Sequence, residues 1–439
     1  ILNPNIILSD DADLHLKHLK STPTVESEVD RCVECGYCEP VCPSKDLTIT
    51  PRQRIVARRA IAQAHADGNS VLARELTRSQ TYDSIETCAV DGMCETACPV
   101  RINTGDLVRK LRGNESGTIE RATWNISARR WAVVTRLASR AMSTMKRMPA
   151  GLVTGPNRLA RLVLGTDVVP LWSPDLPAGG ASREGARRTG APTPDAVYFS
   201  ACVGTMFGPA EGNGGVAVAL DSLAVKAGIN LVRPAGLESL CCGTPWKSKG
   251  MHVGYEEMVA RTVDAIWLAS DGGRLPVVCD NSSCSEGLVG VVKLAASRDA
   301  KYSALDIVDA VDFAATAILP RVQVGEKLGS VVVHPTCSST RAGSNASLLT
   351  VANACAHEAV VPDSWGCCGF AGDRGMLHPE LTASATEAEA REIAEISADA
   401  HVSCNRTCEI GMTRATGERY VHVLETLDAL ASTRERKVP

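Results

Sequence analysis

The chain has 439 residues, of which 44% are hydrophobic and 22% are charged, and its formal net charge is −4. This composition supports folded cores and excludes a generally disordered chain. The length predicts about two to four domains. The sequence contains no apolar run of about 18 residues that would predict a transmembrane helix, and nothing in it indicates nucleic-acid binding.

Two cysteine motifs dominate the first hundred residues: Cys32-Val-Glu-Cys35-Gly-Tyr-Cys38-Glu-Pro-Val-Cys42-Pro43 and Cys88-Ala-Val-Asp91-Gly-Met-Cys94-Glu-Thr-Ala-Cys98-Pro99. Cysteines three residues apart surround one iron–sulfur cluster, while the cysteine before a proline binds the other cluster of a two-cluster protein. This spacing is not that of a disulfide framework, so we expect a reducing, cytoplasmic setting. It predicts a 4Fe-4S cluster on Cys32, Cys35, Cys38 and Cys98, and a second cluster on Cys42, Cys88 and Cys94.

Asp91 stands where the second motif should have its middle cysteine. A carboxylate is a harder and weaker ligand for iron than a thiolate is. Two alternatives follow. Either Asp91 binds the second cluster, whose neighbouring iron is then easily lost to give a 3Fe-4S cluster, or Asp91 is a solvated loop residue beside a cluster that has only three irons.

The segments around these motifs are predicted to be helical. Thr50 and Pro51 are typical of a helix start, and a second helix is predicted from Ser70 to Arg78. Residues 1–24 carry no chemistry and are predicted to be a tail or linker. A mostly helical two-cluster domain is therefore predicted over residues 25–115.

Residues 116–194 are predicted to be a basic helical segment followed by a linker rich in proline and glycine. Between Arg121 and Thr166 the chain contains nine lysines or arginines and no acidic residue. Such a segment either lies on an anionic membrane surface, as a peripheral contact over residues 121–161, or covers an acidic partner. The alternative is that it packs on its own protein as a linker helix.

The remainder of the chain contains an internal repeat. Short β-rich runs alternate with helical runs, and the whole pattern occurs twice, over residues 195–300 and 301–439. Cysteines follow the predicted strands, and each repeat contains one Cys-Cys-Gly. The first set is Cys202, Cys241, Cys242 and Cys284, and the second set, about 130 residues further on, is Cys337, Cys367, Cys368 and Cys408.

These repeated cysteines predict additional metal centres. Strands that alternate with helices form parallel sheets, which bind ligands at the carboxyl ends of their strands. The cysteines of one repeat should therefore converge at one sheet edge, and the glycine permits the bend that turns both neighbouring cysteines to the same side. Each repeat then holds a further cluster, or has lost its cluster and serves as a scaffold.

Four other residues are predicted to have structural roles. Lys247 and Lys249 follow the first Cys-Cys-Gly and are predicted to be solvated rather than to face an anionic cluster or substrate. His334 is predicted to be a core histidine with its hydrogen bonds satisfied. Cys355 lies outside the repeated pattern and is predicted to be packed.

With these motifs in this order, the chain resembles a known group of redox proteins. The two Cys-Cys-Gly units resemble the cysteine-rich (CCG) domains of heterodisulfide reductase B subunits, glycolate oxidase iron–sulfur subunits and anaerobic glycerol-3-phosphate dehydrogenase C subunits. The complete order, including Gly-Thr-Pro-Trp-Lys-Ser-Lys-Gly after the first Cys-Cys, resembles the C-terminal half of fused bacterial FAD-linked D-lactate dehydrogenases and the related D-2-hydroxyglutarate dehydrogenases. One feature departs from heterodisulfide reductase. Its final Cys-x-x-Cys is absent, because Asn281 and Asn405 replace the first cysteine, although Cys279 and Cys404 lie nearby.

The resemblance implies a fold of the α plus α/β class, with a mostly helical two-cluster ferredoxin-like domain followed by two duplicated α/β CCG domains. It also implies that FAD, on a preceding domain or on a partner subunit, oxidises a D-2-hydroxy acid such as D-lactate. This chain would then pass the electrons to a quinone or a cytochrome, and the flavin and substrate sites would lie outside it. Two alternatives stay open: a thiol–disulfide oxidoreductase subunit like heterodisulfide reductase, and a separate electron-transfer subunit of a glycolate oxidase or glycerol-3-phosphate dehydrogenase complex.

Overall fold

The N-terminal cysteine region is a group of helices joined by the two cysteine loops. In this computed structural model, which describes residues 25–183 and 193–434, Thr50 caps the predicted first helix. Its hydroxyl accepts a hydrogen bond from the Gln53 amide, and the Gln53 side chain accepts one from the Thr50 amide. The predicted tail over residues 1–24 lies outside the described residues. The helices of this region are Ser27–Asp30, Pro51–Ala66, Ser70–Gln80, Met93–Ala97 and Thr104–Glu115, with a π-helical turn at Thr81–Glu86.

The basic segment forms the helices Thr118–Arg129, Trp131–Arg147 and Ala150–Leu164. Trp124 and Trp131 pack edge-on against the fully buried Trp246 of the first repeat, with ring centroids 6.3 and 4.7 Å away. The first two helices therefore pack on their own protein, as one of the alternatives predicts. The third helix leaves a row of large apolar side chains exposed: Leu152, Leu159, Leu162, Val163 and Leu164.

The first repeat is built on a parallel sheet of four strands. In spatial order these are Leu231–Val232, Ala196–Phe199, Val277–Cys279 and Ile307–Asp309. The predicted boundary at residue 300 therefore falls before the last strand of this sheet. The α-helices that surround the sheet are Val203–Met206, Val216–Ala227, Thr244–Lys249, His252–Ala269 and Ser282–Ala296, and the 3-10 turns are Leu237–Ser239 and Ala300–Ala304.

The second repeat has the same topology. Its parallel strands, in spatial order, are Ala356–Val360, Leu328–Val333, Ala400–Ser403 and Tyr420–His422. Its α-helices are Cys337–Ala342, Asn345–Cys355, Arg374–Leu377, Pro379–Ile393, Arg406–Thr416 and Val423–Leu430. The connection between the repeats contains the helix Ala310–Phe313, the π-helical turn Ala314–Ile318 and the 3-10 turn Leu319–Arg321.

The two repeats share one apolar core. Buried residues of both sheets, among them Tyr198, Val278, Val331 and Val333, belong to a single cluster of side chains. A short antiparallel ribbon of Val322–Val324 and Ala431–Thr433 also joins the connection between the repeats to the C-terminal part of the chain. The predicted fold class is confirmed: a helical two-cluster region precedes two α/β units of equal topology.

Membrane-spanning potential can be read from helix length and hydropathy. Among residues 25–183 and 193–434, no helix combines the length and the apolar character needed to cross a membrane.

Candidate metal centres

Four cysteines that are predicted to bind one cluster lie around a single cavity, which we call the first cradle: Cys32, Cys35, Cys38 and Cys98. These residues line one cavity together with Ile55 and Ile102. Cys35 is exposed and the other three are half-buried. Burial, reinforced by the nearby thiols of Cys32 and Cys98, raises the pKa of Cys38 to about 11. Burial therefore disfavours the thiolate at neutral pH, and a bound cation such as iron would favour it.

The second cradle contains Cys42, Cys88 and Cys94, which line a neighbouring cavity. Thr104 lines both cavities, so the two cradles adjoin. Cys98 lines the first cavity with the cysteines of the first motif, and Cys42 lines the second cavity; that each binds the cluster of the other motif stays a prediction. Asp91 also lines the second cavity.

The two cysteine loops have the same backbone shape. Glu34 and Val90, each two residues after the first cysteine of its motif, have positive φ angles of 58° and 55°, which non-glycine residues rarely adopt. Cys35 and Asp91 follow at equivalent positions. Cys35 faces solvent, whereas the Asp91 Oδ2 atom is buried, so Asp91 is not a solvated loop residue. Its ligation to the second cluster stays a prediction.

The cysteines of the first repeat converge at the carboxyl edge of its sheet. Cys202 Sγ lies 3.6 Å from Cys241 Sγ, and hydrogen bonds from Cys241 and Cys284 lower the pKa of Cys242. Gly243 has a φ of 80°, which supplies the bend that the sequence predicted. All four of the predicted thiols are therefore brought together, and they are buried.

The cysteines of the second repeat belong to two separate groups of candidate metal ligands. Cys337 and Cys367 lie with Asp91, and all three ligand atoms are within 4.8 Å of one another. Cys368 and Cys408 have their sulfur atoms 3.4 Å apart, and a ring nitrogen of His334 lies within 4.8 Å of both. The second repeat thus brings its four predicted thiols to one edge, where His334 and, from the N-terminal region, Asp91 lie beside them.

The comparisons with known proteins agree with this geometry. The 4Fe-4S dicluster domain matches residues 28–102, and the cysteine-rich domain matches residues 196–288 and again residues 331–413. The chain is an iron–sulfur electron-transfer protein. No curated protein gives a significant match to it. We call the three matched parts the dicluster domain and the first and second cysteine-rich domains.

Arg54 is a residue of the dicluster domain that the sequence did not single out. It is 1% exposed, and its guanidinium lies 3.5 Å from Cys42 Sγ, 2.6 Å from Ser44 Oγ and 3.1 Å from the Ser84 carbonyl oxygen. Burial opposes its charge, but the thiols of the second cradle outweigh burial and raise the pKa of Arg54. Arg54 is the counter-charge of the second cradle.

His334 is buried, as predicted for a core histidine, but its ring also lies beside the thiols of Cys368 and Cys408. Its Nδ1 atom lies 2.8 Å from Glu389 Oε1, while its Nε2 atom has no hydrogen-bond partner. A carboxylate that fixes one ring nitrogen so that the other faces a metal is the usual support of a histidine ligand. The sequence did contain a signal for this role, because the two repeats differ at this position: the second repeat has His334 where the first has Phe199.

The two extra cysteines behave differently. Cys279 hydrogen-bonds with Cys284, so the first cysteine-rich domain gathers five thiols. Cys404 instead lies 3.9 Å from the Thr336 hydroxyl.

Cys355 is 1% exposed and lies in the shared core, and burial raises its pKa to about 12, as expected of a packed cysteine.

The prediction that Lys249 is solvated was wrong. Its side chain is 10% exposed and its Nζ lies 2.9 Å from Asp373 Oδ2 of the second cysteine-rich domain. Lys249 lies at the junction of the dicluster domain and both cysteine-rich domains, where Arg112 and Arg374 are also buried. The sequence around Lys249 contains no trace of this long-range packing.

Proposed function

We propose that this chain is the electron-transfer part of an FAD-dependent D-2-hydroxy-acid dehydrogenase, most simply one that oxidises D-lactate. The flavin, on a preceding domain or a partner subunit, supplies the electrons. A quinone or a cytochrome-type protein accepts them. The proposal combines the established domain order with the resemblance of the whole chain to fused D-lactate dehydrogenases.

One observation carries the proposal: three cysteine sites adjoin one another from the surface inwards. The first cradle opens to solvent at Cys35, and it shares Thr104 with the second cradle. Asp91 lines the second cavity and lies within 4.8 Å of Cys337 and Cys367. Iron–sulfur clusters in such sites exchange single electrons. A continuous series of sites is what a protein needs if it connects a two-electron donor to a distant acceptor.

Residues near the two cradles determine where electrons enter the chain and which charges lie close to the metal sites. Around Cys35 the exposed apolar side chains of Val33 and Tyr37 provide a surface for a partner. Deeper in the dicluster domain, Arg54 places a buried positive charge beside the second cradle. The thiols themselves must lose their protons to bind iron.

The test is an electron-transfer assay on the anaerobically purified chain. We expect photoreduced flavin to reduce the chain, and a water-soluble quinone or cytochrome c to reoxidise it. We also expect no oxidation of D-lactate with dye acceptors, because the flavin and substrate sites lie elsewhere. Cys355→Ala, which changes only a packed thiol, serves as the control. Oxidation of D-lactate by the chain alone, or no exchange with reduced flavin, would contradict the proposal.

A thiol–disulfide oxidoreductase is the second candidate, and the five gathered thiols of the first cysteine-rich domain favour it. In such a reaction one disulfide takes up two electrons and two protons and gives two thiols. The dye-reduced chain would then release thiols from an added disulfide. If instead a flavoprotein copurifies as a separate polypeptide, the chain is a subunit of the glycolate oxidase or glycerol-3-phosphate dehydrogenase type.

We also propose that the helix Ala150–Leu164 contacts an anionic membrane surface. Its exposed leucines and Val163 supply apolar area, and residues 121–166 contain nine lysines or arginines and no acidic residue. We expect the chain to sediment with phosphatidylglycerol vesicles but not with phosphatidylcholine vesicles, and Leu162→Asp to weaken this binding severalfold. Val253→Asp, at an exposed site elsewhere, is the control. Equal binding to both vesicle types would contradict the contact.

A further inference from the structure

Asp91 reaches from the dicluster domain to the second cysteine-rich domain. Its carboxylate, the Cys337 sulfur and the Cys367 sulfur all lie within 4.8 Å of one another. Cys337 begins the helix Cys337–Ala342, and Cys367 opens the second Cys-Cys-Gly. Ligand atoms from three separate segments of the chain, and from two domains, therefore converge on one point.

The Asp91 carboxylate accepts hydrogen bonds from the Cys367 thiol and the Met93 amide, but one of its oxygens is left without a partner among the described residues. This oxygen, Oδ2, is buried. A buried carboxylate oxygen without a partner costs free energy, and proteins normally compensate such a group with a donor or a metal ion. A cation bound between Asp91 and the two sulfur atoms removes this cost.

Contacts around Asp91 hold the loop in place independently of any ligand. Arg341, four residues after Cys337, forms two ion pairs: its Nη2 atom lies 3.3 Å from Glu95, and its Nε atom lies 2.9 Å from Glu286 of the first cysteine-rich domain. Its Nη1 atom lies 3.5 Å from the Asp91 carbonyl oxygen. A Cβ atom on Gly92 would lie 1.2 Å from the same Nη1, so the guanidinium covers the loop directly. The site is preformed by the domain interface.

We propose that Asp91, Cys337 and Cys367 bind iron together, so that the dicluster domain supplies a ligand to the metal centre of the second cysteine-rich domain. Two thiolates and a carboxylate are suitable ligands for iron. The second cradle then retains three thiolates, on Cys42, Cys88 and Cys94, which is the ligand number of a 3Fe-4S cluster. This site does not depend on the identity of the electron donor or acceptor.

The first experiment measures iron and sulfide per chain in anaerobically purified Asp91→Asn, Cys337→Ser and the double variant, with Cys355→Ala as control. Asn keeps the size of the side chain and removes its charge. We expect each single variant to lose about one iron or more, the double variant to lose no more than Cys337→Ser, and the control to lose none. Additive losses, unchanged iron in Asp91→Asn, or zinc in place of iron would overturn the proposal.

A second experiment tests whether Asp91 binds iron at the proposed site or in the second cradle. It also corrects the measured iron content for differences in folding between the variants. In a Cys94→Ser background, where the second cradle has lost a ligand, Asp91→Asn should still remove iron in the same amount. If Asp91 belongs only to the second cradle, the additional substitution removes none. The iron content is normalised to the monomeric fraction from gel filtration, and the EPR spectrum of the first cradle, which should be unchanged, reports that the dicluster domain is folded.

Discussion

Replacing Arg54 with glutamine should destabilise the dicluster domain by about 2–4 kcal/mol and lower the reduction potential of the second cradle's cluster. Arg54 is almost completely buried, and the substitution leaves the Ser84 carbonyl oxygen and the Ser44 hydroxyl without their donor. Losing one partner of a buried, charge-assisted hydrogen bond costs more than the bond itself contributes.

The effect on the potential follows from charge alone. Reduction adds an electron beside a positive guanidinium that lies 3.5 Å from the Cys42 sulfur. At an effective dielectric constant of about 20, two unit charges about 7 Å apart interact by about 2 kcal/mol, or about 100 mV for one electron, which sets the scale of the effect. Without it, the reduced form is less stable and the potential falls.

Redox titration followed by EPR, together with denaturant unfolding, checks both effects. Arg58→Gln is the matched control because Arg58 lies one turn further along the same helix and pairs with the partly exposed Glu26. We expect the control to change stability by less than about 1 kcal/mol and the potential by much less than Arg54→Gln. Equal shifts in the two variants would show that Arg54 has no special electrostatic role.

Replacing Arg112 with methionine should destabilise the junction between the dicluster and first cysteine-rich domains by about 3–5 kcal/mol. Arg112 is buried and donates to three carbonyl oxygens: that of Ile85 at 2.7 Å, that of Cys88 at 2.8 Å and that of Ser248 at 3.0 Å. Methionine fills the space of the side-chain stem but leaves these carbonyl groups without a donor.

The backbones approach each other closely at the same junction. A Cβ atom on Gly250 would lie 2.3 Å from the Arg109 carbonyl oxygen, so small movements cannot replace the lost bonds. Thermal unfolding and hydrogen exchange of the residue 85–88 turn measure the loss. Lys110→Met, on the same helix but half-exposed and paired with Glu28, should change little. An unaltered melting temperature in Arg112→Met would contradict the expected role.

Local chemistry explains why parts of this structure were predictable from sequence. The cap at Thr50 depends on residues three positions apart, and the placement of Cys98 beside the first cavity and Cys42 beside the second agrees with their spacing and the prolines after them. The alternation of strands and cysteines fixed the sheet edge at which Cys202 and Cys337 lie. In each case the decisive neighbours are close in sequence or repeat in register.

Other features depend on which distant surface covers a residue. Arg54 is one of several arginines on its helix. It is buried and bonded to the Ser84 carbonyl oxygen only because the segment around Ser84 folds over it. Lys249 was predicted to be solvated because its partner, Asp373, lies more than a hundred residues away. Asp91 could be recognised as unusual, but the sequence offers no sign that Cys337 and Cys367 lie next to it.

The unequal exposure of the two cradles sets an order for biogenesis. Cys35 remains accessible in the folded chain, whereas Cys88 and Cys94 are buried and Arg341 lies over their loop. We expect iron and sulfide to enter the first cradle of the folded chain more readily than the second, which is buried and partly covered by the second cysteine-rich domain. A chain that closes too early would be trapped half-loaded, and repair of a damaged inner cluster would require the domains to separate.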